Sequence, residues 1–279
     1  MNILGEKAGG FDVTLLQNNG TDLHSYQPSV KDIAKISKAD LFVYVGGESD
    51  EWVEKVVEQS ANKNQIVVNM MEVLGDKVRE EEIVEGMQVE EEEEDEDEEE
   101  IEYDEHVWLS LNNAMDITNA LCAEVSKIDS TNASVYEKNA AAYTKQLADL
   151  DAEYKDVVKS AKKGTVLFGD RYPFRYLTDD YDLKYYAAFV GCSAESEASF
   201  ETIVFLANKV DELGLNAVLT IEKSDKKIAK TVINSTKNKN QEILELDSLQ
   251  SITTKEIKAG RNYLSAMKKN LDVLKKALN

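Results

Sequence analysis

Residues 130–159 contain neither glycine nor proline. Within them Val135, Tyr143, Leu147, Leu150, Tyr154 and Val157 recur at a spacing near 3.6, which predicts a single helix. At 1.5 Å per residue, roughly 30 residues make a rod of about 45 Å. A rod of that length outreaches an ordinary domain, so the chain is expected to be two lobes sharing one helix. The expected division is residues 1–128, a linking helix at 129–161, and residues 162–279.

Short apolar runs alternate with helical patterns on both sides of the rod. Before it, strands are expected at residues 11–16, 41–45 and 65–68, with helices opening at Pro28 and at Trp52 and a further helix over 112–127. After Gly164, strands are expected at 165–168, 185–190, 217–221 and 242–246. Helices are expected near 173–178, 200–213, 226–234 and 257–278. This rhythm predicts an α/β protein: two βα lobes with mostly parallel sheets joined by one long backbone helix.

The charge is concentrated in one place. Residues 90–105 hold fourteen carboxylates in sixteen positions, and residues 80–105 carry 18 of the 54 acidic residues with no Lys or Arg. The other residues have 36 acids against 32 bases, so most of the net charge of −22 belongs to one insertion in a nearly neutral globule. Such a segment has too little apolar surface to order itself, and a mobile loop is expected over about 75–105. Its sign argues against nucleic acid as a partner and for cations or basic partners. No apolar run reaches the length of a membrane span. Met1–Gly5 is followed at once by Glu6 and Lys7, unlike a secretory leader. Cys122 and Cys192 form neither a disulfide framework nor a close-spaced metal motif, and a buried thiol is the plain reading of each.

Ligands of open α/β sheets bind at loops that follow strands. Four side chains able to hold a metal fall at such places. His24 follows the first expected strand and its turn, and His106 ends the acidic stretch in His106-Val107-Trp108-Leu109-Ser110. Asp170 follows the strand at 165–168, and Asp247 the strand at 242–246. Two from each half would close a cleft around one ion. The plainer readings are a turn histidine, a solvated histidine and two helix-capping aspartates.

The run Gly20-Thr21-Asp22-Leu23-His24-Ser25-Tyr26-Gln27-Pro28-Ser29, with Asp32-Ile33 and Lys38-Ala39-Asp40 after it, resembles the first ligand motif of the zinc- and manganese-binding solute-binding proteins of metal ABC importers (the cluster A-I family). An insertion ahead of His106-Val107-Trp108-Leu109-Ser110 is similar too. Phe174-Arg175-Tyr176-Leu177, the glutamate-bearing stretch at 191–199 and Leu246-Asp247-Ser248-Leu249 fall in the family's order, so the resemblance covers essentially the whole chain. It implies His24 and His106 as the first two ligands and Asp247 as the fourth. The third, usually His or Glu three residues before a Phe, would fall on Arg171, which stays protonated and cannot bind a metal. Asp170 is the substitute, with Glu195, Glu197, Glu222 and Cys192 in reserve. The family's opening strand, leader and lipid-bearing cysteine have no counterpart before Met1, and the insertion has no histidine.

The resemblance implies a monomer outside the cytoplasm, held as a cell-surface lipoprotein, that binds Zn(2+) or Mn(2+) and delivers it to a membrane permease. Imidazole with carboxylate suits either ion, and the affinity order favours zinc. Two other functions remain open on the residues alone. A zinc hydrolase would need an open coordination position, and no HExxH or nucleophile elbow is present. An acidic calcium-buffering or adhesive surface protein would need no histidine.

Overall fold

The computed structural model describes residues 1–88, 102–193 and 197–279. Two compact units emerge, each assembled from three stretches of chain. The first comprises Met1–Val78, Ser110–Asp151 and Gln250–Asn262; the second comprises Arg79–Leu109, Ala152–Leu249 and Tyr263–Asn279.

In the first unit, Ser29 caps α1 (Val30–Ile36) through a capping box with Asp32, which satisfies donors that the first turn leaves unbonded. β1 (Leu41–Tyr44) pairs in parallel with β2 (Ile66–Asn69), and α2 (Trp52–Glu58) connects them. Ile36, Phe42 and Val53 form the core between these elements. α3 (Met70–Leu74) and α4 (Leu111–Ile128) follow, α4 capped by Ser110. α4 and the start of α5 (Ala133–Ser160) enclose a second core of Leu4, Cys122, Val125, Tyr136 and Ala140. The expected long helix is thus present, with 28 residues.

Residues 11–16 depart from expectation and form no strand. Their alternation is real, but Val13 and Leu15 point to solvent, 54% and 46% exposed. Just beyond them, Asn19 bridges antiparallel to Thr253, and the backbone N–H groups of Gly20 and Thr254 donate to Ile252 and Asn18 at 3.0 and 2.8 Å. The segment bearing His24 is thereby stitched to residues 250–262.

The second unit is built on a four-stranded parallel sheet in the order β4-β3-β5-β6: β3 (Thr165–Tyr172), β4 (Lys184–Val190), β5 (Ala217–Thr220) and β6 (Glu242–Glu245). α6 (Arg175–Asp180), α7 (Phe200–Leu213) and α8 (Lys227–Ser235) make the crossovers. Leu167, Phe189, Leu206, Val210, Val218 and Val232 fill the layer between sheet and helices. β3 runs four residues beyond its expected end, with a register shift between Phe168 and Arg171. One terminal helix was expected over 257–278, but the chain forms α9 (Thr254–Lys258) and α10 (Tyr263–Ala277). The break falls at Gly260, whose φ of +93° is a conformation that other residues rarely adopt.

The acidic insertion is not loose at its ends. Glu80 bridges Tyr103, Glu81 N–H donates to Glu102 and Asp104 N–H to Arg79, closing an antiparallel stem. Gln88 N–H donates to Ala188 of β4, and Met87 is buried. Residues 89–101, the central part of the expected loop, lie outside the described residues. Among the described residues, no helix is long and apolar enough to cross a membrane.

Candidate functional site

His24 belongs to the first unit and His106, Asp170 and Asp247 to the second. His24 lies in a single 3-10 turn, Leu23–Ser25, that Asp22 caps by accepting the His24 N–H. Its Nδ1 is 2.8 Å from Ser49 Oγ and its Nε2 is 3.0 Å from Gln250 Nε2. Ser49 is delivered by the loop after β1. There Gly46 and Gly47 take positive φ values of 98° and 80°, and the buried Asp50 carboxylate accepts the N–H groups of Val45 and Gly46.

His106 is fully buried at the carboxyl edge of the four-stranded sheet. One oxygen of Asp104 accepts both the backbone N–H and the Nδ1–H of His106, each at 2.8 Å. An acceptor-only carboxylate on Nδ1 puts the proton there, so the ring's lone pair is on Nε2. Asp104 is itself fixed, its carbonyl accepting from Tyr176 Oη at 2.7 Å. Trp108, with its ring 5.4 Å from that of His106, donates its indole N–H to Ser248 and accepts from Tyr263 Oη. The histidine is thereby anchored to the turn carrying Asp247. Gly191, just after β4, makes room for the ring: a Cβ there would lie 2.9 Å from His106 Cε1 and 3.0 Å from the Tyr172 carbonyl.

Cys192, the next residue, is half-buried and takes part in no disulfide. Its Sγ lies within 4.8 Å of a ring nitrogen of His106. Its N–H donates to Glu81 Oε1 at 3.4 Å. Burial, reinforced by the neighbouring Asp104 charge, pushes the Glu81 carboxyl up to about 7.

Asp170 was expected after a strand and instead lies within β3, at the register shift. Its carboxylate accepts the Arg171 N–H at 3.0 Å and lies beside Ser224 and the Ile221 backbone, and burial raises its pKa. Asp247 follows β6 and is 8% exposed; its backbone N–H and carbonyl both bond the Asn270 side chain, and its Oδ1 accepts the Leu249 N–H. Glu222, after β5, accepts from Ser248 N and Oγ; burial first, and then the Asp247 charge, raises its pKa. Glu195 lies outside the described residues. Asp104, Ser49, Gln250 and Gly191 were not anticipated. Asp104 carries a local signal, two residues before a histidine, but it is hidden inside an unbroken acidic run.

A parallel sheet with a carboxylate-backed histidine and a thiol at its carboxyl edge defines an α/β binding fold with metal-ligating chemistry. The family model ZnuA, "Zinc-uptake complex component A periplasmic", matches residues 2–277, and the chain belongs to that family. It is 30% identical over 268 residues to the zinc-binding protein AdcA of Streptococcus pyogenes serotype M6, covering 95% of this chain and 51% of that protein. It is 32% identical over 269 residues to the high-affinity zinc uptake system protein ZnuA of Bacillus subtilis, covering 96% and 81%. The Zn(II)-bound ZnuA-like domain of Streptococcus pneumoniae AdcA superposes with a TM-score of 0.74 at 29% identity, covering 99% of this chain and 93% of that one. The chain spans about half the length of the streptococcal relatives it matches. The expected family and α/β fold are borne out by these matches.

Proposed function

We propose that this chain captures a divalent transition metal outside the cytoplasm and delivers it to the membrane permease of an ABC importer. Zinc is the favoured ion and manganese the second. The observation that carries the reading is the buried His106, whose Nδ1 is held by Asp104 with Cys192 Sγ close by. A carboxylate behind the ring fixes its orientation and raises its basicity as a ligand. Family membership supports the reading, and so do relatives named as zinc-binding and zinc-uptake proteins.

The proposed ligands are His24, His106 and Asp247, with the third position in the family's order filled by Cys192 or Asp170. The proximity of Cys192 to His106 favours the thiol; Asp170 is the alternative, one of its carboxylate oxygens accepting the Arg171 N–H and the other buried without a hydrogen-bond partner. A thiolate softens the site and shifts preference further to zinc over manganese. The protein acts by binding rather than by catalysis, and works as a monomer. The acidic insertion raises the local cation concentration without supplying the tight site. Zinc affinity measured by chelator competition tests the third ligand: Cys192→Ser is expected to weaken binding by at least about 10-fold and Asp170→Asn by less than about 3-fold. The reverse order would restore Asp170 as the third ligand.

A further inference from the structure

Both ring nitrogens of His24 are engaged: Ser49 Oγ at Nδ1 and the Gln250 amide at Nε2, at 2.8 and 3.0 Å. If Nδ1–H donates to the Ser49 hydroxyl, the Nε2 lone pair is the acceptor for the Gln250 N–H. That lone pair is the one a metal would take. With the amide turned over, Nε2–H would donate to its oxygen, and the nitrogen would be equally closed to a cation.

The amide is held in place. Gln250 is 5% exposed and opens the 250–262 stretch, which is stitched to residues 18–20 by the Asn19–Thr253 bridge and the Gly20 and Thr254 backbone bonds. Arg261 donates to the Ser251 carbonyl at 3.1 Å. Cap and histidine therefore share one frame within the first unit, and their hydrogen bond re-forms as an intramolecular event.

We propose that Gln250 is a built-in cap on the metal-binding nitrogen of His24, an affinity-setting side chain that an incoming cation must displace. The proposal rests on His24 being a ligand, as in the function proposed above. An ion can load only by breaking the amide hydrogen bond, so the cap weakens the apparent affinity. On release it recloses the nitrogen, which favours handing the ion onward over rebinding it.

The test uses the full chain and two readouts. Because the chain has only two histidines, long-range proton–nitrogen NMR spectra of the metal-free protein assign both imidazoles directly. Gln250→Leu, of similar size without an amide, is expected to shift the His24 Nε2 resonance and leave that of His106 in place. An unmoved His24 resonance would overturn the cap. Zinc titration is expected to show Gln250→Leu and Gln250→Ala binding roughly fivefold tighter than the parent, the equivalent of one lost competing hydrogen bond. Equal affinity would overturn the proposal, and weaker affinity would overturn it by making Gln250 a ligand. A parent chain that binds no zinc, with the NMR shift still present, would overturn the metal-capture function and leave the hydrogen bond itself established.

Discussion

A single carboxylate oxygen of Asp104 accepts both the backbone N–H and the ring Nδ1–H of His106, at 2.8 Å each. The pair sits at 2% and 0% exposure, so water does not compete for either bond. Removing the carboxylate frees the ring to turn and makes it a poorer donor to a metal. Asp104→Ala is expected to weaken zinc binding by about 10- to 100-fold while leaving the far-ultraviolet spectrum unchanged. Calorimetric titration checks it, and parental affinity in a folded variant would remove Asp104 from the account.

Gly191 supplies the space for that ring. A methyl group there would press on His106 Cε1 at 2.9 Å, a distance real Cβ atoms essentially never show, and lie tight against the Tyr172 carbonyl at 3.0 Å. Gly191→Ala is expected to displace the imidazole and lower zinc affinity by about 10-fold or more. It is also expected to destabilise the second unit by about 1–3 kcal/mol, the range for overpacking a core. Thermal unfolding alongside zinc titration separates the two effects.

Much of the fold was legible in the sequence, for identifiable reasons. All four strands of the second unit were foreseen because each is a short apolar run punctuated by polar turns. The long helix declared itself through its unbroken spacing. Residues 11–16 misled because alternation reports a half-buried surface only if another strand lies alongside, and Val13 and Leu15 face solvent. The helix break at Gly260 was missed because Tyr263, Met267 and Leu271 continue the apolar stripe beyond it. For the candidate site, the histidines were legible and their surroundings were not. That Cys192 lies near His106 depends on β4 lying beside β3, and that Gln250 reaches His24 depends on a bridge between residues 19 and 253. No local pattern encodes contacts at such separations.

Asn270 acts as a surrogate backbone for the Asp247 turn. Its fully buried side chain accepts the Asp247 N–H at 2.9 Å and donates to the Asp247 carbonyl at 2.7 Å. Asn270→Leu would strand both backbone groups in an apolar setting, at about 1–3 kcal/mol for each buried group left unbonded. The expected result is a fall of several degrees in melting temperature, with slackened metal binding through Asp247. An unchanged melting temperature would contradict the bonding described.

Glu81 sets a pH dependence of stability. Burial and the Asp104 charge raise its carboxyl from 4.5 to about 7, so across that window the folded state holds more protons than the unfolded chain. Stability contributed by the protonated form is therefore present below pH 4.5 and lost as pH rises to about 7. Glu81→Gln, which keeps an acceptor for the Cys192 N–H, is expected to raise the melting temperature by roughly 2–4 °C at pH 8 and to do little at pH 4.5. Equal shifts at both pH values would contradict it.

The central claim is that a tight metal site rests on the two histidines and not on the acidic stretch. Calorimetric zinc titration of the parent chain, of His24→Ala/His106→Ala, and of a deletion of residues 80–105 measures it directly. The account predicts one tight site in the parent, its loss in the double variant, and its retention in the deletion as a single site weakened by about 10- to 100-fold, since that cut also removes Asp104. Only weak, multiple binding in the parent, unaffected by the double substitution and abolished with the stretch, would contradict it.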